Sequence, residues 1–213
     1  MDEYFRTRFS YDRKREIVWK EICRYIQRYI PRNAKILDVG AGYGHFINNV
    51  VSVDKFAIDL EIGALKYCDV QTRTICGSCV SLPYKNNEFD VLFSSNVLEH
   101  LEHQQLRDAL LESYRVLKVG GILMVISPNF KYCYRNYFDD YTHKSIITGA
   151  SINDLFESVG FRVVKNVPRF LPFSTKGKLP VNSFLIWLYL RSAWKPFASQ
   201  FFIIGKKCDS YEE

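Results

Sequence analysis

Residues 35–44 read Lys-Ile-Leu-Asp-Val-Gly-Ala-Gly-Tyr-Gly, an apolar run that ends in an acid and enters three glycines spaced by two. This pattern predicts a buried parallel strand that breaks into a tight loop at Gly40. Residues 45–51 then form a short helix whose N-terminus faces the loop. Glycines suit such a turn because they adopt positive φ angles and let a ligand approach bare backbone. The glycine loop is therefore the candidate ligand site.

The composition is that of a globular protein with one substantial core. The chain has 213 residues, of which 47% are hydrophobic and 24% charged, and these are ordinary values. The net charge is +6, with lysines and arginines spread along the chain. That spread favours solvated helix faces over a nucleic-acid interface, and it leaves anionic substrates or phospholipid headgroups as alternative partners.

The domain organisation follows from this size. We expect a single domain over residues 1–213, with an N-terminal helical cap at 1–32 and a ligand-binding core at 33–128. Residues 129–213 then form a substrate-side lid and the last two strands. Residues 1–10 are charged and contain no apolar run, so we expect no signal peptide.

Six cysteines occur in the chain, and two of them form the motif Cys76-Gly-Ser-Cys79. This spacing is known from metal and redox sites, but no second Cys or His pair follows at a zinc-like interval. We therefore expect no metal site. Reduced thiols in the cytoplasm are the simplest interpretation of the cysteine content.

Periodicity predicts an α/β fold with a doubly wound, mostly parallel sheet. The strands are expected at 35–39, 56–59, 73–76, 89–95, 122–126, 161–167 and 201–205. The helices are expected at 12–29, 45–51, 61–68, 102–117, 152–159 and 181–194. Gly120 and Gly121 are expected to close the helix at 102–117, and residues 168–180 to form a basic, proline-flanked loop. The apolar run at 181–190 is too short to span a bilayer.

The residues around the loop discriminate between two ligand classes. A glycine loop after the first strand, with Asp59 ending the second, predicts a nucleoside-containing ligand whose ribose hydroxyls donate to the acid. A dinucleotide site would require glycine at position 45, where this chain has His45, whereas its third glycine is Gly44. Asp38 would repel a pyrophosphate but suits a cationic ligand that carries an ammonium and a sulfonium.

Further motifs complete a family resemblance over about residues 33–128. They are Leu82-Pro-Tyr84, Glu88-Phe-Asp-Val-Leu-Phe-Ser-Ser-Asn-Val-Leu-Glu-His-Leu101 and Arg115-Val-Leu-Lys-Val-Gly-Gly-Ile-Leu123. Together with the glycine loop and Asp59, they resemble class I S-adenosylmethionine-dependent methyltransferases of the small-molecule and glycan type. The resemblance implies a seven-stranded Rossmann-like sheet, whose last two strands form an antiparallel hairpin, and S-adenosylmethionine as the cofactor.

The same resemblance implies which residues contact the cofactor. Its amino acid part would lie against the loop backbone, its ribose on Asp59, and its adenine between Leu60 and the loop at 77–79. Ser78 stands where the family commonly has an acid, so this contact departs from the pattern. The cofactor-binding candidates are Asp38, Gly40, Ala41, Gly42, Gly44, Asp59, Leu60, Ser78, Cys79, Ser95 and Asn96.

Catalysis by such an enzyme needs mainly alignment of donor and acceptor, with a general base when the acceptor is a hydroxyl. His143, in the irregular segment after the fifth strand, is our favoured base, and Asp139, Asp140 and Tyr141 are the substrate candidates. The alternative is that this segment only caps the pocket.

The chain has three other histidines. His100 follows the fourth strand and is a second candidate base, with a structural or cofactor-pocket role as the favoured alternative. His45 and His103 are expected on helix surfaces.

Thr142-His143-Lys144 lies within an Asp- and Tyr-rich segment that is followed by Phe161 and a proline-flanked apolar helix. This combination also resembles methyltransferases of glycan and lipid-linked sugar biosynthesis, so we expect methyl transfer to a small-molecule or glycan acceptor, most simply at a hydroxyl. The alternatives are a cofactor-binding partner protein without activity and an RNA methyltransferase. The fourth strand lacks the Asn/Asp-Pro-Pro-aromatic run of many nucleic-acid amino-group methyltransferases. The basic loop and the helix with Trp187 and Trp194 are candidates for contact with a membrane or a lipid carrier, although packing of this helix on the sheet is the interpretation that we favour.

Overall fold

The structure, a computed structural model, describes residues 13–172 and 182–208. Its strands are β1 (Lys35–Val39), β2 (Asp54–Asp59), β3 (Arg73–Cys76), β4 (Phe89–Ser95), β5 (Leu117–Pro128), β6 (Phe161–Pro172) and β7 (Ala198–Lys207). The α-helices are α1 (Arg13–Ile26), α2 (His45–Asn49), α3 (Ile62–Leu65), α4 (His103–Val116), α5 (Phe130–Cys133), α6 (Gly149–Ser158) and α7 (Ser183–Arg191). Short 3-10 helices lie at Gln27–Tyr29, Leu98–His100 and Tyr137–Asp139.

The seven strands form one sheet in the order β3-β2-β1-β4-β5-β7-β6. Strands β1 to β5 are parallel, and β7 runs antiparallel to both β5 and β6. The predicted mostly parallel sheet with an antiparallel C-terminal hairpin is therefore confirmed. The strand order reverses between β1 and β4, and a crevice opens at the carboxyl ends of such a pair of strands.

Apolar side chains cover both faces of the sheet, as a doubly wound fold requires. Neighbouring residues of β1 point to opposite faces, so Leu37 belongs to one core cluster and Ile36 to the other. The first cluster also contains Leu110 of α4, and the second contains Ile26 of α1. The glycine loop thus extends from a strand that is fixed on both sides.

Four strands, β2, β5, β6 and β7, are longer than the sequence indicated. Helix α4 ends at Val116 and β5 begins at once with Leu117, so Gly120 and Gly121 lie inside the strand and do not close the helix. Gly120 has φ 79°, and the irregular pairing with β4 in this region accommodates it. Strand β6 continues to Pro172, which its position at the edge of the sheet permits, because an edge strand tolerates a missing N–H.

Several helices are shorter than predicted. The helix expected at 61–68 is reduced to α3, and the last predicted helix is reduced to α7. Helix α6 begins earlier than predicted because Thr148 and Ser151 form a capping box at its start. Residue 12, residue 181 and most of the loop predicted at 168–180 lie outside the described residues.

Helix α7 packs against the body of the protein along one side only. Leu190 is buried in the same core cluster as Phe202 of β7, whereas Phe184, Leu185 and Leu188 are exposed. The favoured packing of this helix is thus observed for one face, and its contact with a membrane stays a prediction. None of the helices within the described ranges combines the length and apolarity that a bilayer crossing requires.

Candidate functional site

The glycine loop after β1 has the backbone conformation that its sequence predicts. Gly40, Gly42 and Gly44 have φ angles of 74°, 51° and 70°, a region that L side chains rarely adopt. Space also restricts Gly40, because a Cβ added there would lie 2.2 Å from Cγ2 of Val97. The loop therefore lies directly against the segment that follows β4.

Asp59, the last residue of β2, is tied to this loop. Its Oδ2 accepts a hydrogen bond from the N–H of Gly42 at 2.8 Å, and its Oδ1 accepts one from the N–H of Glu61 at 2.9 Å. Burial raises the pKa of Asp59, and these backbone donors act in the opposite direction. Each carboxylate oxygen keeps a further lone pair for an incoming hydroxyl. The carboxylate is thus held in one orientation, and its predicted contact with ribose stays a prediction.

Asp38 lies beneath the loop and is only 2% exposed. Its Oδ2 is buried without a hydrogen-bond partner among the described residues. Burial raises the pKa of Asp38 well above its ordinary value, and the nearby carboxylate of Asp59 raises it further. A buried carboxylate in this state is stabilised by any cation placed beside it.

The predicted adenine side of the site is apolar and open. Leu60 directly follows β2, and 75% of its surface is exposed. Ser78 and Cys79 are half-buried, and burial raises the pKa of the Cys79 thiol to about 11. A flat aromatic ligand would cover Leu60, so this exposed side chain is consistent with its predicted role.

Ser95 and Asn96 lie where β4 leaves the sheet. Asn96 has φ 54°, and its N–H donates to the carbonyl of Ile126 on β5 at 2.9 Å. Its side-chain amide donates to Oγ of Ser95 at 3.1 Å. The left-handed residue turns the chain sharply at the crevice, and the 3-10 helix Leu98–His100 follows.

Beyond this turn, three groups come together. The rings of His100 and His143 lie 5.0 Å apart between centroids. A carboxylate oxygen of Glu99 and one ring nitrogen of each histidine all lie within 4.8 Å of one another. Both candidate bases therefore belong to a single cluster, which we call the Glu99–His100–His143 cluster. The role of His143 as a general base stays a prediction.

Glu99 is a member of the cluster to which the sequence pattern pointed only indirectly. Its side chain is 1% exposed, and its Oε2 accepts a hydrogen bond from Oγ of Ser127 at 2.9 Å. Burial raises the pKa of Glu99 to about 7. The available signal was an acid directly before a candidate histidine, at the end of a buried strand.

The loop that carries His143 is attached to the same segment. The N–H groups of Lys144 and Ser145 donate to the carbonyl of Glu99 at 2.8 and 3.2 Å. Oγ of Ser145 donates to the carbonyl of Leu101 at 2.7 Å. The end of β4 thus positions both histidines.

The three substrate candidates have different surroundings. Asp140 joins the cluster indirectly, because its Oδ1 accepts from Oγ1 of Thr142 at 2.6 Å, and that hydroxyl oxygen lies 2.9 Å from Nδ1 of His100. Asp139 accepts from the side-chain amide of Asn136 at 3.0 Å. Tyr141 is 68% exposed. Their contact with a substrate stays a prediction.

His45 and His103 were both expected on helix surfaces, and this expectation is wrong for His45 and confirmed for His103. His45 is 6% exposed, because its ring stacks on Trp19 with centroids 6.5 Å apart and an interplanar angle of 9°. Helix α1 covers this face, which the local pattern around the glycine loop does not reveal. His103, at the start of α4, is exposed as expected.

Comparisons with known proteins decide between the ligand classes. A methyltransferase domain family matches residues 37–125, from β1 into β5. The fold is similar to that of an S-adenosylmethionine-dependent methyltransferase from Archaeoglobus fulgidus, with a TM-score of 0.67, 21% identity and coverage of 96% of this chain and 97% of the other. The chain belongs to the class I S-adenosylmethionine-dependent methyltransferases.

Relatives of this methyltransferase differ in their acceptors. An uncharacterized protein of Methanocaldococcus jannaschii is 33% identical over 186 residues, which are 85% of this chain and 77% of the relative. A tRNA (carboxymethyluridine(34)-5-O)-methyltransferase of Arabidopsis thaliana is 28% identical over 109 residues, 50% of this chain and 27% of that protein. A ubiquinone/menaquinone biosynthesis C-methyltransferase of Dinoroseobacter shibae is 30% identical over 123 residues, 51% of this chain and 48% of that protein. Membership of the class therefore leaves the acceptor open.

One further known structure has a similar fold. It is a chain in the complex between the Haloferax volcanii Trm112 methyltransferase activator and a methyltransferase, with a TM-score of 0.70, 12% identity and coverage of 93% of both chains. At this identity the likeness concerns the fold only.

The cofactor of the methyltransferase is S-adenosylmethionine, and the residues around the loop fit it. The unpartnered Oδ2 of Asp38 is a buried acceptor for a positively charged group, and a dinucleotide pyrophosphate would be repelled there. Asp59 is oriented to accept from ribose hydroxyls, and Leu60 is exposed where an adenine would cover it. The cofactor supplies a methyl group that is already activated on a sulfonium.

Proposed function

We propose that this methyltransferase transfers the methyl group to a hydroxyl of a small-molecule or glycan acceptor. The observation that carries the proposal is the Glu99–His100–His143 cluster at the carboxyl end of β4. A hydroxyl is a weak nucleophile until its proton is removed, whereas displacement at a sulfonium otherwise needs only alignment. Two imidazoles and a buried carboxylate beside the cofactor loop are suited to that task.

The electrostatics of the cluster support the same chemistry. Burial lowers the pKa of His100, and the neighbouring His143 lowers it further. His100 is therefore neutral at neutral pH, the state in which an imidazole interacts with a hydroxyl proton as an acceptor. Transfer forms an oxygen–carbon bond, breaks the sulfur–carbon bond with the electron pair remaining on sulfur, and releases the hydroxyl proton at this cluster.

Exposed aromatic side chains beside the cluster support a sugar-like or similarly amphipathic acceptor. Phe138 and Tyr141 flank the two acidic substrate candidates, and both are exposed, as is Tyr134. Aromatic rings on both sides of a pair of carboxylates are suited to bind a molecule with apolar faces and hydroxyl edges.

The test is methyl transfer from labelled S-adenosylmethionine to a panel of monosaccharides, lipid-linked sugars and phenols, with total RNA as a rival acceptor. We expect a product whose methyl group mass spectrometry places on oxygen. His100→Ala should lower kcat by about 10²-fold or more, with unchanged cofactor affinity, and His103→Ala serves as the matched control.

Two outcomes would overturn the proposal. Label found only in RNA, with binding that weakens steeply with salt, would identify a nucleic-acid methyltransferase. Cofactor binding without methyl incorporation into these acceptors or into a cell extract would identify a partner protein without activity.

A further inference from the structure

The Glu99–His100–His143 cluster has the composition of a metal site. Its ligand atoms are one carboxylate oxygen and two imidazole nitrogens, all within 4.8 Å of one another. Glu99 and His143 are buried and His100 is half-buried. We propose that this cluster binds one divalent first-row transition-metal ion, of the class that includes Mn²⁺ and Zn²⁺.

The surroundings of His143 fix the ring nitrogen that would hold the ion. Its Nδ1 lies 2.7 Å from the carbonyl oxygen of Tyr137. A carbonyl only accepts, so Nδ1 carries the proton and the lone pair of the neutral ring is on Nε2. Histidine ligands in metal sites are oriented in this way, through a hydrogen bond from the other ring nitrogen to a carbonyl or carboxylate.

His100 is oriented by a chain of two hydrogen bonds. The hydroxyl of Thr142 donates to Oδ1 of Asp140 at 2.6 Å, so its oxygen accepts from Nδ1–H of His100 at 2.9 Å. The lone pair of this neutral ring is therefore also on Nε2. Both histidines thus have the same tautomer, and each ring is oriented by a hydrogen bond from Nδ1. Such a pair is preorganised to bind a metal ion through Nε2.

The third ligand is oriented as well. Oγ of Ser127 on β5 donates to Oε2 of Glu99 at 2.9 Å. Three ligand atoms bonded at about 2.1 Å to a common ion lie about 3.0–3.6 Å apart. Side-chain movements of up to about 1 Å each therefore close the cluster on an ion.

The ligand set selects the class of ion. Two imidazoles and a carboxylate suit Mn²⁺, Fe²⁺ or Zn²⁺ and leave coordination positions open, whereas Mg²⁺ and Ca²⁺ prefer oxygen-only sites. The sequence expectation of no metal site rested on Cys76 and Cys79, which belong to a different part of the molecule.

The role of the ion rests on the proposed function. A hydroxyl that occupies an open position on a divalent ion has a lowered pKa and gives up its proton to water near neutral pH. The acceptor oxygen is then anionic before it attacks the methyl carbon. With both histidines as ligands, the ion replaces the neutral imidazole of His100 as the group that activates the hydroxyl.

The test is a Mn²⁺ titration of the chelator-treated full chain, in which electron paramagnetic resonance counts the free ion. Mn²⁺ is chosen because thiolates compete for it weakly, and the chain has six cysteines. We expect one bound ion per chain. Glu99→Gln and His100→Ala should each abolish saturable binding, Thr142→Val should weaken it about 10–100-fold, and the exposed His103→Ala should leave it unchanged.

Circular dichroism and thermal melts identify variants that fail to fold, and the isosteric Glu99→Gln carries the test if His100→Ala is one of them. The proposal is overturned if the folded wild type binds no Mn²⁺ at millimolar concentration, or if Glu99→Gln binds it as tightly as the wild type. Activity separates the two proposals. Oxygen methylation that persists after chelation contradicts the role of the ion in activating the hydroxyl, whereas Mn²⁺ binding without methylation of any hydroxyl contradicts the proposed function.

Discussion

The phenol of Tyr137 donates a hydrogen bond to the carbonyl of Ser145 at 2.5 Å, across the loop that carries His143. Tyr137 is completely buried, and its ring lies 4.4 Å from that of His143 between centroids. One aromatic side chain thus holds the loop closed and packs against the second histidine of the cluster. The position of His143 depends on this bond.

Tyr137→Phe removes the donor and leaves the part-buried carbonyl of Ser145 without this partner, which costs about 1 kcal/mol of folding free energy. Because the loop loosens, we expect kcat to fall while the affinity for S-adenosylmethionine is unchanged. Thermal melts and steady-state kinetics check this result. Tyr114→Phe, on the far side of the protein, is the control. Equal losses of kcat in both variants would show that the bond has no specific role.

Asp38→Asn should raise the stability of the protein and lower its affinity for the cofactor. Burial raises the pKa of the folded carboxyl, so the stability it contributes below its ordinary pKa is lost as pH rises through the raised value. The asparagine side chain does not ionise, so the variant avoids this loss at neutral pH. Its Tm should rise by about 2–4 °C for each kcal/mol gained in the free energy of unfolding. S-adenosylmethionine should bind more weakly, because the amide provides no negative charge. Asp154→Asn, on an exposed helix face, is the control for both measurements.

Binding of S-adenosylmethionine should release protons. In the free protein the raised pKa of Asp38 keeps the carboxyl protonated above its ordinary titration range. A cationic ligand favours the carboxylate and lowers this pKa. The affinity for S-adenosylmethionine should therefore rise with pH and become constant once the pH exceeds the pKa of Asp38 in the free protein. Calorimetry in two buffers of different ionisation enthalpy measures the released protons. An identical buffer dependence in Asp38→Asn would assign the effect to another group.

The exposed side of α7 should bind anionic membranes. Phe184, Leu185 and Leu188 are exposed on this helix, and Arg191 at its end lies over the ring of Trp187 at 4.7 Å. Apolar side chains beside cations are typical of interfacial helices. Phe184→Ser with Leu188→Ser should reduce flotation with phosphatidylglycerol vesicles, and Leu111→Ser, an exposed leucine on α4, should not. Equal flotation of both variants would contradict the membrane contact.

The sequence predicted most of the fold because the parallel strands are apolar on both faces, and such runs are bounded by glycines and acids. Residues 35–44 and Asp59 were expected to meet, since a glycine turn and an acid at neighbouring strand ends lie close together in a doubly wound sheet, and the hydrogen bond from Gly42 to Asp59 shows that they do. Their contact with the cofactor stays a prediction. The bounds of β5 were missed because Gly120 normally ends a helix. Here the glycine lies at an irregularity within the strand.

The Glu99–His100–His143 cluster was only partly foreseen. Both histidines were singled out separately, but their proximity depends on the hydrogen bonds between the backbone of Glu99 and the loop at 144–145. Local periodicity contains no information about such a long-range contact. The burial of His45 under Trp19 was missed for the same reason.

The assignment of the glycine loop to S-adenosylmethionine is tested most directly by calorimetric titration of the wild type and Asp59→Ala with this cofactor, with NAD as the rival ligand and Asp154→Ala as the control. We predict saturable binding of one S-adenosylmethionine per chain and no binding of NAD. Asp59→Ala should weaken the affinity by about tenfold or more, equivalent to about 1.4 kcal/mol. Tight binding of NAD, or an affinity for S-adenosylmethionine that Asp59→Ala leaves unchanged, would contradict the assignment.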